Sequence, residues 1–282
     1  KINFLEINFE FNGVKLKYKD FLKILKSKQE FKIMENGQVL NLSRIRKTYQ
    51  PLLEDIEHFK ENKIPLNQYY FLYRQFLNQN IQINESEALE KIKKMMDGSA
   101  PLPILSLNND IENVLRDYQH KGVQWLYFLK EMGFGGILAD DMGLGKTLQA
   151  LTLITACKKD LPSLIVCPTS LVYNWEKEAF KFFPGTKAGI IYGTKNERSF
   201  VLEDYLEYDI LITTYGILKR DIEKYQDKTF EFVFLDEAQQ IKNFKTQNAE
   251  SVKQITSRYR FVLSGTPIEN SLSELWSLFD FV

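Results

Sequence analysis

The chain has 282 residues, of which 44% are hydrophobic and 26% are charged, and its 37 basic residues balance its 37 acidic residues. This composition excludes a largely disordered chain and gives room for two domains with separate cores. No apolar run reaches the ~18 residues that a membrane span needs, and the first residues lack the pattern of a signal peptide, so we expect a cytosolic protein without a membrane partner.

Two short hairpins are predicted at the start of the chain. Apolar and polar residues alternate on both sides of Asn12-Gly13 and again on both sides of Asn36-Gly37. Asn-Gly is favoured in a tight type I′ turn because both central residues need a positive φ. Each hairpin is followed by a helical pattern, so this part of the chain is expected to be a mixed α+β structure.

A helical region and a linker follow the hairpins. Apolar residues recur at three- and four-residue spacing from residue 43 to about residue 97, with prolines at positions 51 and 65. The next segment, GSAPLP at residues 98–103, contains a glycine and two prolines and therefore does not continue a helix. We predict the domain boundary there, between an accessory α+β domain (residues 1–100) and a second domain (residues 101–282).

Beyond the linker, short apolar runs predict a parallel β-sheet that is covered by helices on both faces. The runs lie at residues 137–139, 164–167, 190–192, 210–212, 232–235 and 261–263. In this α/β architecture ligands bind at the carboxyl ends of the strands. The residues that follow each run are therefore the candidates for chemistry.

The first run leads into a phosphate-loop motif, because DDMGLGKT and then a helix-prone stretch follow it. Backbone N–H groups of such a loop and the following helix N-terminus point at phosphates. Lys146 is expected to reach the β- and γ-phosphates of ATP, and the Thr147 hydroxyl to hold Mg²⁺. The full pattern has glycine where this chain has Asp140, so a simple glycine turn with an exposed lysine is the alternative. The predicted ATP-binding residues of this segment are Asp141, Met142, Gly143, Leu144, Gly145, Lys146 and Thr147.

An acidic pair follows the fifth run. Asp236 and Glu237 come directly after four apolar residues, where two charges are unfavourable unless a cation or a substrate uses them. Asp236 is expected to coordinate Mg²⁺, and Glu237 to orient and deprotonate the attacking water. With Lys146, Glu237 completes the predicted catalytic set. An acidic helix N-terminus is the alternative explanation of the pair taken alone.

These two elements, with the segments between and after them, resemble the first motor lobe of the Swi/Snf-type ATPases of helicase superfamily two. The match runs over about residues 115–282 and includes six motifs in the same order. It implies a RecA-like lobe of the P-loop NTPase type, whose glutamine motif is LRDYQ. Gln119 would read the edge of adenine, and Arg116 would stack on the nucleotide or contact its ring. From their residue types alone, both would be surface residues at a helix start.

Two further motifs of this resemblance imply contacts with a DNA backbone. CPTSLVYNW and ITTYG follow two of the predicted strands and would offer hydroxyl and backbone N–H groups to phosphates. The implied contacts are Pro168, Thr169, Ser170, Thr214 and Tyr215. Trp175, in the first motif, is expected to pack in the core. Helix capping by Thr213 or Thr214 is the competing explanation of the second motif.

The last two motifs imply coupling between nucleotide state and lobe movement. The acidic box continues as DEAQ, with Gln239 where many members have histidine, so a titratable imidazole is absent there and Gln239 is expected to be a hydrogen-bonding link. The segment LSGTP resembles the coupling motif itself. It implies roles for Ser264, Gly265 and Thr266, with the two hydroxyl groups bonding to the acidic box.

The resemblance implies an ATP- and Mg²⁺-dependent translocase on double-stranded DNA, which is cytoplasmic and, in a bacterium, associated with the nucleoid. The distribution of charge does not support DNA binding. Residues 1–100 hold 17 basic and 13 acidic residues, and residues 101–282 hold 20 basic and 24 acidic residues. The chain begins with lysine and ends inside a helical pattern, so both ends look cut. We therefore expect a fragment without the second lobe and its catalytic arginines, which hydrolyses ATP poorly or not at all.

Other interpretations stay open. An RNA helicase of the same superfamily would share the nucleotide chemistry, although the SLVYNW and IKN segments favour the Swi/Snf-type branch. A nucleotide-dependent scaffold is the other alternative, and the presence of Glu237 argues against it. Residues 1–100 carry no catalytic motif, so they could regulate the motor, bind a protein partner, contact DNA or simply pack. Cys157 and Cys167 lack metal-ligand spacing and are expected to be small buried residues.

Overall fold

The computed structural model describes residues 4–6, 9–11, 13–34, 37–50, 63–65, 90, 93–95, 97–158, 160–243, 246–267 and 272–282. The chain divides into two compact units, Lys1–Ala100 and Pro101–Val282. Within the described parts of the chain, no helix is long and apolar enough to cross a bilayer.

The first unit contains the two predicted hairpins. The hairpin strands and the helices that follow them are β2 (Phe9–Phe11), β3 (Val14–Leu16), α1 (Tyr18–Lys26), β4 (Phe31–Ile33), β5 (Val39–Asn41) and α2 (Leu42–Tyr49). Strand β2 pairs antiparallel with β3, and β4 with β5, so the hairpin-then-helix prediction is confirmed. Stacked and edge-on rings of Phe9, Phe21 and Tyr49 join the first hairpin to both helices.

A further strand pair lies where only helices were predicted. Strand β1 (Phe4–Glu6) pairs antiparallel with β6 (Lys63–Pro65), so the helical interpretation of residues 63–65 is wrong. Pro65 ends β6, and the end of a strand tolerates a residue without an N–H donor. The other predicted helical positions, at residues 52–59, 69–76, 89 and 92, lie outside the described residues, and Met95 lies in a helical segment.

The second unit contains the predicted parallel sheet. Its strands are β7 (Gly136–Leu138), β8 (Ser163–Cys167), β9 (Ala188–Ile190), β10 (Ile210–Thr214), β11 (Thr229–Asp236) and β12 (Thr256–Leu263). All neighbours are parallel, in the order β7-β12-β11-β8-β10-β9. Every predicted apolar run overlaps one of these strands. The predicted RecA-like α/β fold of this part is therefore confirmed.

Helices flank the sheet. They are α3 (Asn109–Glu112), α4 (Asp117–Glu131), α5 (Lys146–Ala156), α6 (Val172–Phe182), α7 (Lys195–Glu203), α8 (Tyr215–Arg220), α9 (Gln247–Lys253) and α10 (Leu272–Phe279). The strands β8 and β10 are buried along their whole length, which explains their uninterrupted apolar sequences. Cys157 and Cys167 are buried free thiols, as expected.

The strand register brings the candidate residues to one edge of the sheet. Leu138 at the end of β7 pairs with Leu263, and Leu263 pairs with Asp236 at the end of β11. Because the strands are parallel, the segments that follow β7, β12, β11, β8 and β10 all leave from this carboxyl edge.

Candidate functional site

The phosphate loop, residues 139–145, connects β7 to α5. Gly143 and Gly145 have φ angles of 81° and 74°, a region that glycine enters without the steric cost of a side chain. Gly145 is the residue that precedes the first turn of α5. A Cβ atom at Gly145 would also lie 2.3 Å from the Gln119 side chain. The backbone here therefore bends into a cradle that leads directly into a helix N-terminus, the geometry that binds phosphate.

Lys146 is folded onto this loop. Its ammonium group donates hydrogen bonds to the backbone carbonyls of Asp140 at 2.7 Å and Asp141 at 3.0 Å, and the residue is only 9% exposed. Carbonyl acceptors satisfy the donors of a buried lysine without neutralising its charge. Lys146 therefore lies buried against the loop, and the sequence alternative of an exposed lysine does not describe it.

Gln119 lies beside the same loop. Its amide nitrogen donates to the Leu144 carbonyl at 3.1 Å, and its amide oxygen accepts from the Arg116 backbone N–H at 3.0 Å. Gln119 is buried and ties the start of α4 to the phosphate loop, whereas Arg116 is exposed. The predicted adenine contacts thus sit next to the predicted phosphate contacts, and their role toward adenine stays a prediction.

A second glutamine, which the sequence analysis did not single out, also holds the loop. Gln149 is fully buried on α5, and its amide nitrogen donates to the Asp140 carboxylate at 3.0 Å. Its amide oxygen is buried without a hydrogen-bond partner among the described residues. The Gln149 amide fills the space beside Gly122 of α4, where a Cβ would lie 1.8 Å from that oxygen. An amide side chain in the largely apolar stretch LQALTLI was the available signal.

Asp236 ends β11 with a carboxylate that is almost inaccessible to solvent. One oxygen accepts a hydrogen bond from the Trp175 indole N–H at 2.8 Å, and the other from the Glu237 backbone N–H at 3.0 Å. Burial raises the pKa of Asp236, as does the charge of Glu237, while the Trp175 hydrogen bond and the positive charge of Lys146 lower this pKa. Lys146 and Asp236 therefore lie within electrostatic reach of each other at the same sheet edge.

Glu237 occupies a strained position immediately after the strand. Its φ and ψ angles are 48° and 57°, and it is the one non-glycine residue with positive φ in the described parts of the chain. One of its carboxylate oxygens is buried and has no hydrogen-bond partner there. Such backbone strain costs of order 1–3 kcal/mol and occurs mainly where a site requires it.

The segments after β8 and β10 present different surfaces. Thr169 and Ser170 are exposed in a 3₁₀ turn (Thr169–Leu171) after the half-buried Pro168. Thr214, in contrast, is buried, and its hydroxyl group accepts from the Ile217 backbone N–H at 3.2 Å, which caps α8. Tyr215 is also buried, and its hydroxyl donates to the Asp236 backbone carbonyl at 2.8 Å. The capping explanation thus describes Thr214 in this structure.

The coupling motif lies against the phosphate loop. Ser264 is fully buried, its backbone N–H donates to the Leu138 carbonyl, and its hydroxyl accepts from the Thr266 backbone N–H at 3.2 Å. That bond stays within the motif, whereas the sequence analysis expected the Ser264 hydroxyl to reach the acidic box. A Cβ at Gly265 would lie 3.1 Å from the Met142 side chain. Gln239 is exposed, and residues 268–270 lie outside the described part of the chain.

The oxygen donors at this edge fit a magnesium ion that arrives with a phosphate ligand. The Asp236 carboxylate and the Thr147 hydroxyl are hard oxygen ligands, which Mg²⁺ prefers. Among the described residues, no group of three or more His, Cys, Asp and Glu could hold a metal by itself. Mg²⁺ typically uses one or two protein carboxylates together with substrate phosphates, so a sparse donor set beside a phosphate cradle fits this ion.

The fold and the site together define a RecA-like nucleotide-binding lobe: a helix-flanked parallel sheet with a glycine-containing loop and an acidic pair at its carboxyl edge. Comparison with known protein families gives the next step. The SNF2-related domain matches residues 118–282, more than half of the chain, and the chain belongs to this family. The resemblance to Swi/Snf-type ATPases is therefore confirmed.

Individual relatives agree with this assignment. An uncharacterized ATP-dependent helicase, MG018, of Mycoplasma genitalium is 45% identical over 182 residues, which is 63% of this chain and 18% of that protein. The TATA-binding protein-associated factor MOT1 of Saccharomyces cerevisiae is 39% identical over 206 residues, 68% of this chain and 11% of that protein. The chain therefore spans about a fifth or less of the length of these relatives.

A solved structure is similar as well. The Sulfolobus solfataricus SWI2/SNF2 ATPase core in complex with double-stranded DNA has 41% sequence identity and a TM-score of 0.55. The similarity covers 65% of this chain and 37% of that chain.

Proposed function

We propose that this chain is the ATP-binding lobe of a motor that moves along double-stranded DNA. The observation that carries the proposal is the strand register, which brings the phosphate loop with Lys146 and the end of β11 with Asp236 to the same sheet edge. Beside them lie the glycine bends of the phosphate loop and the strained Glu237. This is the arrangement of charges that a triphosphate with a divalent cation would complete.

Each residue has a separate task in this proposal. Lys146 exchanges its two loop carbonyls for phosphate oxygens, and the loop backbone from Asp141 to Gly145 cradles them. Thr147 and Asp236 hold Mg²⁺, which neutralises phosphate charge when it is bound. Glu237, which is partly exposed at this edge, takes the proton of the attacking water. Arg116 and Gln119 bind the base.

DNA binds at the segments that follow β8 and β10. Thr169 and Ser170 are exposed and offer hydroxyl groups to a phosphate backbone, with Pro168 shaping the turn. Thr214 and Tyr215 support this surface from within, because their hydroxyl groups are already bonded inside the protein. The similarity to a SWI2/SNF2 core in complex with double-stranded DNA supports duplex DNA as the partner.

Hydrolysis requires a second lobe in this proposal. The transferring phosphoryl group develops charge on its outer oxygens, and an arginine supplied from outside this unit can contribute ~10³ to 10⁵ in rate. We therefore expect the 282-residue chain to bind ATP without appreciable turnover. A turnover equal to that of a two-lobe protein would contradict this part.

The nucleotide site is tested by a single lysine substitution. Lys146→Ala should weaken binding of a fluorescent ATP analogue with Mg²⁺ by about 100-fold, because charge-assisted phosphate contacts are lost. Lys195→Ala, an exposed lysine on α7, is the matched control and should bind like the unmodified chain. Undiminished affinity in the Lys146→Ala variant, with normal thermal unfolding, would refute the proposal.

A further inference from the structure

Two aromatic residues from the segments after β8 and β10 converge on Asp236. Trp175, 1% exposed, donates its indole N–H to the Asp236 carboxylate at 2.8 Å. Tyr215, 4% exposed, donates its hydroxyl to the Asp236 backbone carbonyl at 2.8 Å. One residue therefore holds the side chain of Asp236 and the other holds its backbone.

These bonds fix an acid that has little other support. No cation lies within ion-pair distance of the Asp236 carboxylate among the described residues, and the Glu237 backbone N–H is its remaining hydrogen-bond donor. Hydrogen bonds to a charged acceptor in a buried site are stronger than those between neutral groups. Tyr215 holds the carbonyl at the point where the chain turns into the left-handed conformation of Glu237. Together the two residues hold the Asp236 carboxylate and the backbone that leads into Glu237.

Both residues are also joined to the proposed DNA-contact surface. Trp175 lies in the first turn of α6, which begins directly after the Thr169–Leu171 turn. Three residues separate this turn from Trp175, and the first of them, Val172, is buried. Tyr215 directly follows Thr214, the cap of α8. Each segment is therefore connected to Asp236 through a few residues of chain and one hydrogen bond.

We propose that Trp175 and Tyr215 are positioning residues that link contact with a DNA backbone to the affinity for magnesium and nucleotide. The inference rests on the function proposed above and names a route between its two binding sites. Linkage is reciprocal, so DNA should change the affinity for magnesium–nucleotide, and magnesium–nucleotide should change the affinity for DNA by the same factor. If the two residues only packed in the core, their substitution would alter stability but would change neither the effect of DNA on nucleotide affinity nor the effect of nucleotide on DNA affinity.

The tryptophan is tested with a matched pair of substitutions. Trp175→Phe removes the N–H donor and keeps an aromatic ring, while Trp125→Phe changes a half-buried tryptophan on α4 that packs on Phe128. Affinity for a fluorescent ATP analogue is measured with Mg²⁺ and with EDTA, each with and without duplex DNA. Trp175→Phe should weaken the Mg²⁺-dependent affinity about tenfold and abolish the effect of DNA, with the EDTA value unchanged. Trp125→Phe should retain all four values.

Tyr215→Phe is the second variant, since it deletes one hydroxyl group and keeps the ring. Tyr225→Phe is its control, because Tyr225 is a fully buried tyrosine on the short turn after α8. Tyr215→Phe should reduce the effect of DNA on nucleotide affinity at least threefold, and Tyr225→Phe should not change it. The inference would be overturned if each variant and its control changed nucleotide affinity equally, or if DNA did not change the nucleotide affinity of the unmodified chain.

The outcomes separate this inference from the proposed function. If Lys146→Ala loses nucleotide and Trp175→Phe binds with unchanged Mg²⁺ and DNA dependence, the nucleotide site stands and the linkage is wrong. If Lys146→Ala binds normally, the proposed function itself fails.

Discussion

The buried acids at the two edges of the sheet differ in their ion pairing, and strand β11 runs from one edge to the other. At the amino edge, Glu231 is buried, and its carboxylate accepts a hydrogen bond from Arg258 at 2.6 Å. At the carboxyl edge, Glu237 has no cationic partner within ion-pair distance among the described residues, and Lys146 bonds to carbonyl groups instead of to an acid. The acid at the amino edge is thus ion-paired, whereas the carboxyl edge keeps opposite charges near each other but unpaired.

The cavity at the amino edge of this unit and the proposed nucleotide site do not coincide. A cavity of about 470 Å³ lies at the amino edge, between the start of β8 and the ends of α5 and α6, and contains none of the predicted site residues. Its acids near the sheet have cationic partners, such as Lys158 beside Asp209 at 2.8 Å. Uncompensated charge and backbone strain mark the carboxyl edge instead, and these are the properties that a ligand would relieve.

The largest effect on stability is expected from the loss of the ion pair at the amino edge. Glu231→Gln should lower the free energy of unfolding by about 2 kcal/mol, because Arg258 loses its charged partner in a largely buried setting. The arginine is half exposed, which keeps the loss below that of a fully buried pair. Urea unfolding measures it, with the exposed Glu203→Gln as control. An unchanged midpoint would remove the contrast between the edges.

A glycine pair tests the strain that is built into the carboxyl edge. Gly145→Ala should cost about 1–2 kcal/mol, because the new residue would have to hold a left-handed conformation and its Cβ would meet Gln119. Gly185→Ala, in the wall of the amino-edge cavity, has nothing within 4 Å of its Cβ and should change stability by less than about 0.5 kcal/mol. Thermal unfolding compares the two, and equal costs would argue against strain at the phosphate loop.

The smallest effect should have the opposite sign. Glu237→Gln removes a charge from a partly buried acid that has no cationic partner within ion-pair distance among the described residues, so the free energy of unfolding should rise by up to about 1 kcal/mol. Glu231→Gln is the comparison, because the same substitution at the other end of β11 should destabilise. Chemical unfolding of both variants gives the two signs. If Glu237→Gln destabilised the protein as much as Glu231→Gln, the acids at the two edges would not differ in their electrostatic compensation.

Much of the second unit could be predicted because its buried strands are continuous apolar runs. The run at 232–235 predicted β11 and led directly to Asp236, since a buried strand leaves few explanations for two adjacent acids. The strand order could not be predicted in the same way, because it depends on contacts between distant segments. The short pairing of β1 with β6 was missed for the same reason, since nothing in the local spacing near residue 63 indicates a partner at residue 4.

The candidate site was predicted as a set of segments, and its internal hydrogen bonds were not. Trp175 was expected to pack in the core, which its burial confirms, but a donor for Asp236 was not expected. Tyr215 and Thr214 were expected at a surface, and their hydroxyl groups are bonded inside the protein. Hydrogen-bond direction depends on side-chain rotamers and on the twist between neighbouring strands, which residue types alone do not specify.

The contact between Gly122 and Gln149 has a consequence for anyone who maps this protein by random substitution. A side chain at position 122 would push against the amide that holds Asp140, whose carbonyl in turn receives Lys146. Variants at this helix position should therefore cluster with phosphate-loop variants in a screen for lost nucleotide affinity. The map of sensitive positions would then include a residue of α4 that is not among the proposed nucleotide contacts.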